Sequence, residues 1–352
     1  MNPSGHQPRE DGPSLRPLLK WAGGKRSLQE EIIRTIGHDF ARYIEPFLGG
    51  GAVLWSLRPI SGLVSDVNAE LISLYECVRD EPDGLISSLV DIRSELEEIK
   101  FQYGRLSDSQ INEKLEYFFE IRPRLRSTGE SLSSLEPDVK REEVEIEAWG
   151  EFYRGVRDWD RDPVRFGLKT RAERAARMIF LNRMGFNGLY RVNSRNQFNV
   201  PFGRKRNLNF FDEALIVAIS HYLNFETKLE IRCQDFETTV SRAAEGDFIY
   251  ADPPYAPLNE AKSTFSAYTK EGFHWEDLVR LLDTLDSASD RGASWLLSNV
   301  KSESTTELFT GRDYLLREVE VGRPVNSKGS GRGPVTEYLV SPRLHKMARY
   351  RR

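Results

Sequence analysis

A short buried strand and a rigid turn are predicted by the stretch Asp247-Phe248-Ile249-Tyr250-Ala251-Asp252-Pro253-Pro254-Tyr255. Residues 247–251 are mostly apolar and bounded by turn residues, which is typical of a short buried strand. Pro253 and Pro254 fix φ and cannot donate ladder hydrogen bonds, so the strand stops here. Ligands of open α/β sheets bind at the carboxyl ends of strands. We therefore predict that Asp252 and Tyr255 line a binding site; a strand-ending turn with a surface acid and a packing tyrosine is the alternative.

A nucleotide-type unit is predicted by Tyr43-Ile44-Glu45-Pro46-Phe47-Leu48-Gly49-Gly50-Gly51-Ala52-Val53-Leu54, which has the pattern strand, glycine-rich loop, helix. The stretch 63–68 predicts a second short strand that ends at Asp66, where a carboxylate is placed to bind ribose hydroxyls. The distance in sequence from Gly51 to Asp66 is shorter than in the dinucleotide fingerprint, and the third glycine of GxGxxG is absent. The pattern disfavours NAD and favours another adenosine-containing cofactor.

Two further segments contain candidate ligand contacts. Residues 18–25, Leu-Leu-Lys-Trp-Ala-Gly-Gly-Lys, predict a loop that leads into a helix over 27–36. The glycine pair lets backbone N–H groups approach a ligand, Trp21 offers a flat face, and an incidental tryptophan is the alternative. Residues 229–236 predict a strand and a loop that places Asp235 against an adenine edge; an N-cap for the next helix explains Asp235 equally well.

The composition is that of a soluble globular protein with room for a large core in one or two domains. Residues 1–17 lack the apolar region of a secretory signal and are interpreted as a mobile tail. No apolar run is long enough to span a bilayer, so no membrane association is expected. Two distant cysteines and five scattered histidines predict a reducing, cytoplasmic setting and no metal site.

Positive charge is concentrated in one segment although the net charge is −4. Residues 165–206 contain eleven basic side chains and one acid, Glu173. Phosphate binding needs a local positive face, whereas a solvated helix face is the alternative. Within this segment, 170–182 predicts a strong helix and 182–204 predicts a β-hairpin with its tip near 193–196. Its arginine, asparagine and glutamine side chains are base-edge readers, and a β-ribbon fits the major groove, so we predict DNA contact.

The remaining segments complete an alternating pattern of helices and strands. Helical patterns cover 70–93, 96–121, 208–223 and 273–285. The polar, acidic residues 124–144 predict a loop or insertion with little core. Strands are predicted over 294–299, 315–321 and 337–341, the last two flanking a basic loop over 326–333.

Five motifs in this order resemble the Dam-type, or α-group, DNA adenine-N6 methyltransferases. They are KWAGGK at 20–25, EPFLGGGA at 45–52, SDVN at 65–68, a basic hairpin ending in FNVPFGR at 198–204, and DPPY at 252–255. The resemblance covers about 18–341. It implies an α/β fold with a Rossmann-like S-adenosylmethionine-dependent methyltransferase sheet and an inserted, mainly helical target-recognition domain that carries a β-hairpin. We expect the catalytic domain at 18–75 and 212–345, and the inserted domain at 76–211.

The resemblance also implies roles for individual residues. The cofactor, S-adenosylmethionine, is expected to contact or lie beside Trp21, Lys25, Glu45, Phe47, Gly49, Asp66 and Asp252, together with Asp235 from its position. DNA is expected to contact Lys20, Asn187, Leu189, Arg191, Pro201, Arg204 and Lys205. Lys205, Met184 and Tyr190 depart from the pattern of GATC-specific relatives, so GATC recognition is not predicted.

The residue types suit methyl transfer to an exocyclic amino group. Asp252 and the Pro253 carbonyl can accept the two N6 hydrogens, Pro254 holds this geometry, and Tyr255 can stack on a base extruded from double-stranded DNA. Methylation of cytosine N4 and a non-catalytic DNA-binding module are the alternatives.

A restriction endonuclease as functional partner is compatible with the resemblance, and no obligate protein partner is indicated.

Overall fold

The computed structural model describes residues 14–21, 28–37, 39–121, 136–255, 272–321 and 335–343. They form a mixed α/β fold around one seven-stranded sheet. The strands are β1 (Tyr43–Glu45), β2 (Ser61–Asp66), β3 (Lys228–Cys233), β4 (Phe248–Ala251), β5 (Ser294–Val300), β6 (Leu315–Val321) and β7 (Val335–Ser341). Helices in these ranges are α1 (Gln29–Ile36), α2 (Ala52–Leu57), α3 (Ala69–Asp80), α4 (Pro82–Gly104), α5 (Asp108–Ile121), α6 (Pro137–Arg157), α7 (Pro163–Gly167), α8 (Arg171–Met184), α9 (Glu213–His221), α10 (Phe236–Val240), α11 (Trp275–Asp290) and α12 (Glu303–Gly311).

The sheet has the strand order β3-β2-β1-β4-β5-β7-β6. Strands β1 to β5 pair in parallel, and β7 runs antiparallel to both β5 and β6. After β1 the chain adds β2 and β3 on one side and then returns to place β4 on the other side. Such a reversal opens a crevice beyond the carboxyl ends of the two central strands, where ligands of α/β sheets bind. In this chain the crevice follows Glu45 and Ala251.

Apolar side chains cover both faces of the sheet, as expected for parallel strands buried between helices. Tyr43, Val64 and Tyr250 point to one face, whereas Ile44 and Ile249 point to the other. The first face shares a continuous core with residues of α6 and α8, including Trp149 and Phe180. Helix α8 packs against α3, and α3 packs against β2 and β3, so the segment between β2 and β3 shares the core of this face of the sheet. Among the described helices, none is both long and apolar enough to cross a lipid bilayer.

Helix α6 corrects the prediction of a loop over 124–144. Residues 137–144 are helical, while 122–135 lie outside the described residues. Pro137 suits the first turn, where its missing N–H has no partner to lose. Val144 is fully buried and packs with residues of α5, among them Ile111 and Leu115. The many acidic residues of this segment suggested a loop, although its helix has a buried apolar side. The loop prediction was therefore wrong for residues 137–144.

The segment 182–204 turns back on itself as predicted, but it does not form a continuous β-ribbon. Two isolated antiparallel bridges join Gly185 to Phe202 and Val192 to Phe198. The tip is a turn in which the Asn193 amide donates to the Gln197 carbonyl at 2.9 Å. A 3-10 turn over Phe186–Gly188, with positive φ at its central residue, interrupts the pairing. The prediction of a hairpin tip is confirmed and that of a regular ladder is wrong.

Other element boundaries moved for local reasons. The helix predicted over 70–93 is divided into α3 and α4 because Pro82 cannot donate to the preceding turn. The helix predicted over 208–223 starts only at 213, where the Asp212 side chain accepts from the Leu215 amide. Leu15 is buried, so the predicted tail over 1–17 is wrong for its last residues; 1–13 lie outside the described residues. The predicted loop over 326–333 also lies outside them.

Candidate active site

The glycine loop and the Asp252 turn leave the sheet side by side. Their parent strands pair in parallel, with Tyr43 opposite Phe248 and Ile44 opposite Ile249. Glu45 ends β1 and is 3% exposed. Burial raises the pKa of Glu45 well above its ordinary value, and the carboxylates of Asp252 and Asp66 raise it further. The Tyr43 hydroxyl opposes this by donating to Glu45 at 3.1 Å. Three carboxyl groups at the ends of three strands are therefore close enough for the charges of Asp252 and Asp66 to act on Glu45.

Asp66 anchors the glycine loop through its carboxylate. One oxygen accepts from the Gly49 amide at 3.0 Å, and the other accepts from the Asn68 amide at 2.9 Å. Burial raises the pKa of Asp66, while the hydrogen bonds from backbone amides oppose that rise. Each carboxylate oxygen has a second lone pair, so the group can still accept from a ligand hydroxyl.

Trp21 lies against the backbone of the glycine loop. Gly49 has φ +48°, and a Cβ added there would lie 2.8 Å from Trp21 Cδ1. At Gly50 an added Cβ would meet Trp21 Cβ at 3.1 Å. The loop therefore needs glycine both for its backbone conformation and for the closeness of the indole. Lys25, the other cofactor residue predicted from this segment, lies outside the described residues.

The structure gives Asp235 the role of a helix N-cap. Its side chain accepts from the Glu237 amide at 2.9 Å, and Arg280 donates to both of its oxygens at 2.9 and 3.2 Å. The hydrogen bond to Asp235 is the main cause of a raised pKa of the Arg280 guanidinium, and hydrogen bonds to Glu237 and Asp277 raise it further. The next residue, Phe236, packs against Phe47 with ring centroids 5.4 Å apart. The capping interpretation is confirmed, and the contact of Asp235 with adenine stays a prediction.

The N-terminal loop joins the glycine loop to the hairpin segment. The Lys20 amide donates to Asn182 Oδ1 at 2.8 Å, and Asn182 Nδ2 donates back to the Lys20 carbonyl at 2.8 Å. Trp21 stacks on Tyr190 with centroids 5.0 Å apart and an interplanar angle of 23°. Burial raises the pKa of Tyr190 to about 12. The predicted cofactor residue Trp21 thus lies directly against the predicted DNA-binding segment.

The sequence interpretation missed the roles of Asn182 and Tyr190. Asn182 is fully buried, and an amide within the apolar stripe of a helix was the available signal for its role. Tyr190 lies between two predicted DNA-contact residues, but nothing local showed that its ring turns inward. Both roles depend on contacts with residues 18–21, which are more than 160 positions away in sequence.

The hairpin presents several of the predicted DNA-contact residues. Asn187 and Pro201 are exposed, whereas Leu189 and Arg191 are half-buried. The Arg191 Nε donates to Asn199 Oδ1 at 2.8 Å, which holds the guanidinium along the hairpin. These side chains lie together on the segment that also contacts Trp21 through Tyr190.

The arginines of residues 204–206 face acids of α6. Arg204 forms ion pairs with Glu143 and Glu147, and Arg206 pairs with Glu142 at 2.8 Å. Lys205 is half-buried between them. Base reading by Arg204 would require an exchange of these partners and stays a prediction.

Helix α8 does not provide the positive face that its composition suggested. Arg177 is 5% exposed and pairs with Asp160 at 2.7 Å. Arg171 bridges to Glu81, and Arg183 Nε donates to the Leu18 carbonyl at 2.7 Å. These arginines stabilise the packing of the helix, so they do not support DNA contact by α8. Among the described residues, no group of three or more acids, histidines and cysteines is arranged to hold a metal ion.

Known proteins are similar in sequence to most of this chain. The family described as D12 class N6 adenine-specific DNA methyltransferase matches residues 21–322. The Type II methyltransferase M1.LlaDCHI of Lactococcus lactis subsp. cremoris is 37% identical over 328 residues, covering 93% of this chain and 95% of the relative. The Type II methyltransferase M.MjaIII of Methanocaldococcus jannaschii is 31% identical, covering 90% of this chain and 95% of the relative.

The DNA adenine methylase of Escherichia coli K12 is 28% identical over 325 residues, covering 92% of this chain and 94% of the relative. The resemblance inferred from the five sequence motifs is confirmed by these matches. Because the family match includes the glycine loop, the hairpin and the Asp252 turn, the chain belongs to the D12 class N6 adenine-specific DNA methyltransferases.

Proposed function

We propose that this enzyme transfers the methyl group of S-adenosylmethionine to N6 of an adenine extruded from double-stranded DNA at a specific sequence. The observation that carries the proposal is the position of the Asp252 turn, beside the glycine loop at the point where the sheet order reverses. The description of the family favours adenine over the cytosine N4 alternative.

The crevice fits a cationic, sugar-containing cofactor. Burial raises the pKa of Glu45, and repulsion by the carboxylates of Asp252 and Asp66 raises it further. A positive charge among these three groups would relieve that repulsion. Asp66 would hold ribose hydroxyls, Trp21 would cover one side, and the backbone of Gly49 would lie close beneath. When bound, S-adenosylmethionine supplies an activated methyl group.

The side chains of the Asp252 turn would prepare the adenine amino group. Its lone pair is delocalised into the ring, which makes the nitrogen a weak nucleophile. Acceptance of both amino hydrogens, by Asp252 and by the Pro253 carbonyl, favours a pyramidal nitrogen with a free lone pair. Pro254 fixes the turn and Tyr255 would stack on the base. Catalysis would then consist mainly of positioning and electrostatic stabilisation.

Recognition of DNA is assigned to residues 76–211, between the two catalytic parts at 18–75 and 212–345. Asn187, Leu189 and Arg191 would approach base edges, while Lys20 lies at the boundary with the cofactor loop. The Type II names of two relatives favour a restriction endonuclease as functional partner.

Incubation of the purified protein with labelled S-adenosylmethionine and genomic DNA is expected to yield N6-methyladenine at a defined sequence. Nucleoside analysis identifies the product, and sequencing of modified bases identifies the site. Exclusive formation of N4-methylcytosine would replace adenine as the target. Binding of DNA without any methyl transfer would favour the non-catalytic alternative.

Arg191 and Arg204 are expected to differ when each is replaced by alanine. Loss of Arg191 should weaken binding to the cognate duplex by about 1–3 kcal/mol and leave non-cognate binding nearly unchanged. Loss of Arg204 removes one ion-pair partner from Glu143 and Glu147, so we expect weaker binding to both duplexes through charge repulsion between these acids and the phosphates. Competition titrations with the two duplexes measure this difference. The control is Arg242→Ala, an exposed arginine between α10 and β4 that pairs with Glu230, and it should bind both duplexes like wild type. Equal losses for both hairpin variants on both duplexes would refute base reading.

A further inference from the structure

A buried glutamate on β7 holds the tyrosine of the Asp252–Tyr255 turn. Glu337 is 5% exposed, and one of its carboxylate oxygens accepts from the Tyr255 hydroxyl. The other oxygen accepts from the Ser298 hydroxyl at 3.4 Å. A buried carboxylate is costly unless donors satisfy it, and two hydroxyl donors from separate segments converge here.

The strand register places this glutamate on the same face of the sheet as Tyr43 and Tyr250. Tyr250 on β4 pairs with Leu296 on β5, and Val300 on β5 pairs with Glu337 on β7. Since alternate residues of a strand share a face, Tyr250, Ser298 and Glu337 point to the same side. Burial raises the pKa of Tyr250, and the negative charges of Asp252, Glu45 and Glu337 raise it further. Glu337 therefore belongs to the same electrostatic neighbourhood as the proposed catalytic carboxylate.

We propose that Glu337 is a positioning residue that fixes the ring of Tyr255 for stacking on the target base; this inference rests on the proposed function. Pro253 and Pro254 restrict the backbone on one side of the ring. The hydrogen bond to Glu337 fixes the opposite end, at the para position. A ring held at both ends is oriented before the base arrives, so less ordering is required when the base stacks.

A purely structural role would predict a different pattern of effects. If Tyr255 only supplied a donor that Glu337 needs, loss of the hydroxyl would lower the melting temperature and leave turnover intact. If Glu337 positions the ring, loss of either partner lowers kcat with little effect on the KM for S-adenosylmethionine. Removal of both partners should then cost no more than removal of one, because both changes break the same hydrogen bond.

The test compares Tyr255→Phe, Glu337→Ala, Glu337→Gln and the double variant Tyr255→Phe/Glu337→Ala with wild type. Each of the first two changes is expected to lower kcat roughly 10- to 100-fold, and the double variant should match the single ones. Glu337→Gln keeps an acceptor oxygen and should retain most of the activity. Fluorescence of 2-aminopurine at the target position should report altered stacking in the impaired variants. The matched control is Glu318→Ala on β6, an exposed glutamate paired with Lys301, which should behave as wild type.

Multiplicative losses in the double variant, or wild-type kcat for Glu337→Ala, would overturn the inference. Should Glu337→Ala not fold, Glu337→Leu fills the same volume without an acceptor and must show the same loss. A wild-type enzyme that transfers no methyl group would instead refute the proposed function. The two failures are therefore distinguished by the wild-type reaction in the same experiment.

Discussion

Replacement of Asp252 by asparagine is expected to lower kcat by about two to four orders of magnitude, while the affinity for duplex DNA stays within about threefold. Asparagine keeps the size of the side chain but presents an N–H₂ group in place of one acceptor oxygen. The variant cannot offer a negative charge to the amino nitrogen as positive charge develops on it. The hairpin that would bind DNA lies in another segment, so binding should survive.

Single-turnover methylation and fluorescence anisotropy with the same duplex separate the two effects of Asp252→Asn. The control is Asp290→Asn, because Asp290 is exposed at the end of α11 and precedes the amino end of β5, whereas the crevice lies at the carboxyl ends of the parallel strands. We expect the control to methylate DNA at the wild-type rate. A wild-type rate for Asp252→Asn would show that this carboxylate does not act on the target amino group.

Local patterns predicted the elements that build the crevice. The strand before Asp252, the strand before the glycine loop and the strand that ends at Asp66 each lie within a few residues of their prediction. A buried parallel strand is marked by a short apolar run and by the turn residues that end it, and both signals lie within one short segment. The reversal of strand order then brings these three ends together.

Contacts between distant segments were not predictable in the same way. The acids of α6 suggested a solvated loop, because their arginine partners lie beyond residue 200. In the same way, the basic composition of α8 suggested a DNA-binding face, although Arg177 is a buried packing residue. Composition describes charge along the chain, whereas the fold decides which charges neutralise each other.

The contact between Glu337 and Tyr255 shows the same limit within the site. The two residues are 82 positions apart, and a single glutamate in a late strand carries no pattern that indicates a buried partner. Only the antiparallel pairing of β7 with β5 brings Glu337 close to Ser298 and Tyr255. The turn itself could thus be predicted from the sequence, but the residue that accepts the hydrogen bond of its tyrosine could not.

Replacement of Gly49 by alanine is expected to weaken binding of S-adenosylmethionine by about 5- to 30-fold, since a non-glycine residue in a left-handed conformation costs roughly 1–2 kcal/mol. The added Cβ would lie 2.8 Å from Trp21 Cδ1 and 2.9 Å from its Nε1. Either the loop shifts away from Asp66, which holds the Gly49 amide, or the indole moves from its place. Both responses disturb groups that would contact the cofactor.

Titration calorimetry with S-adenosylmethionine measures the affinity of Gly49→Ala, and thermal unfolding shows whether the fold is kept. The matched control is Gly155→Ala in α6, where an added Cβ meets nothing within 4 Å. That change should leave cofactor affinity unaltered and stabilise the helix by up to about 1 kcal/mol. Unchanged affinity in a well-folded Gly49→Ala protein would show that the cofactor does not depend on this loop. A loss confined to Gly49→Ala would instead tie cofactor binding to the close packing of Trp21 on the glycine backbone.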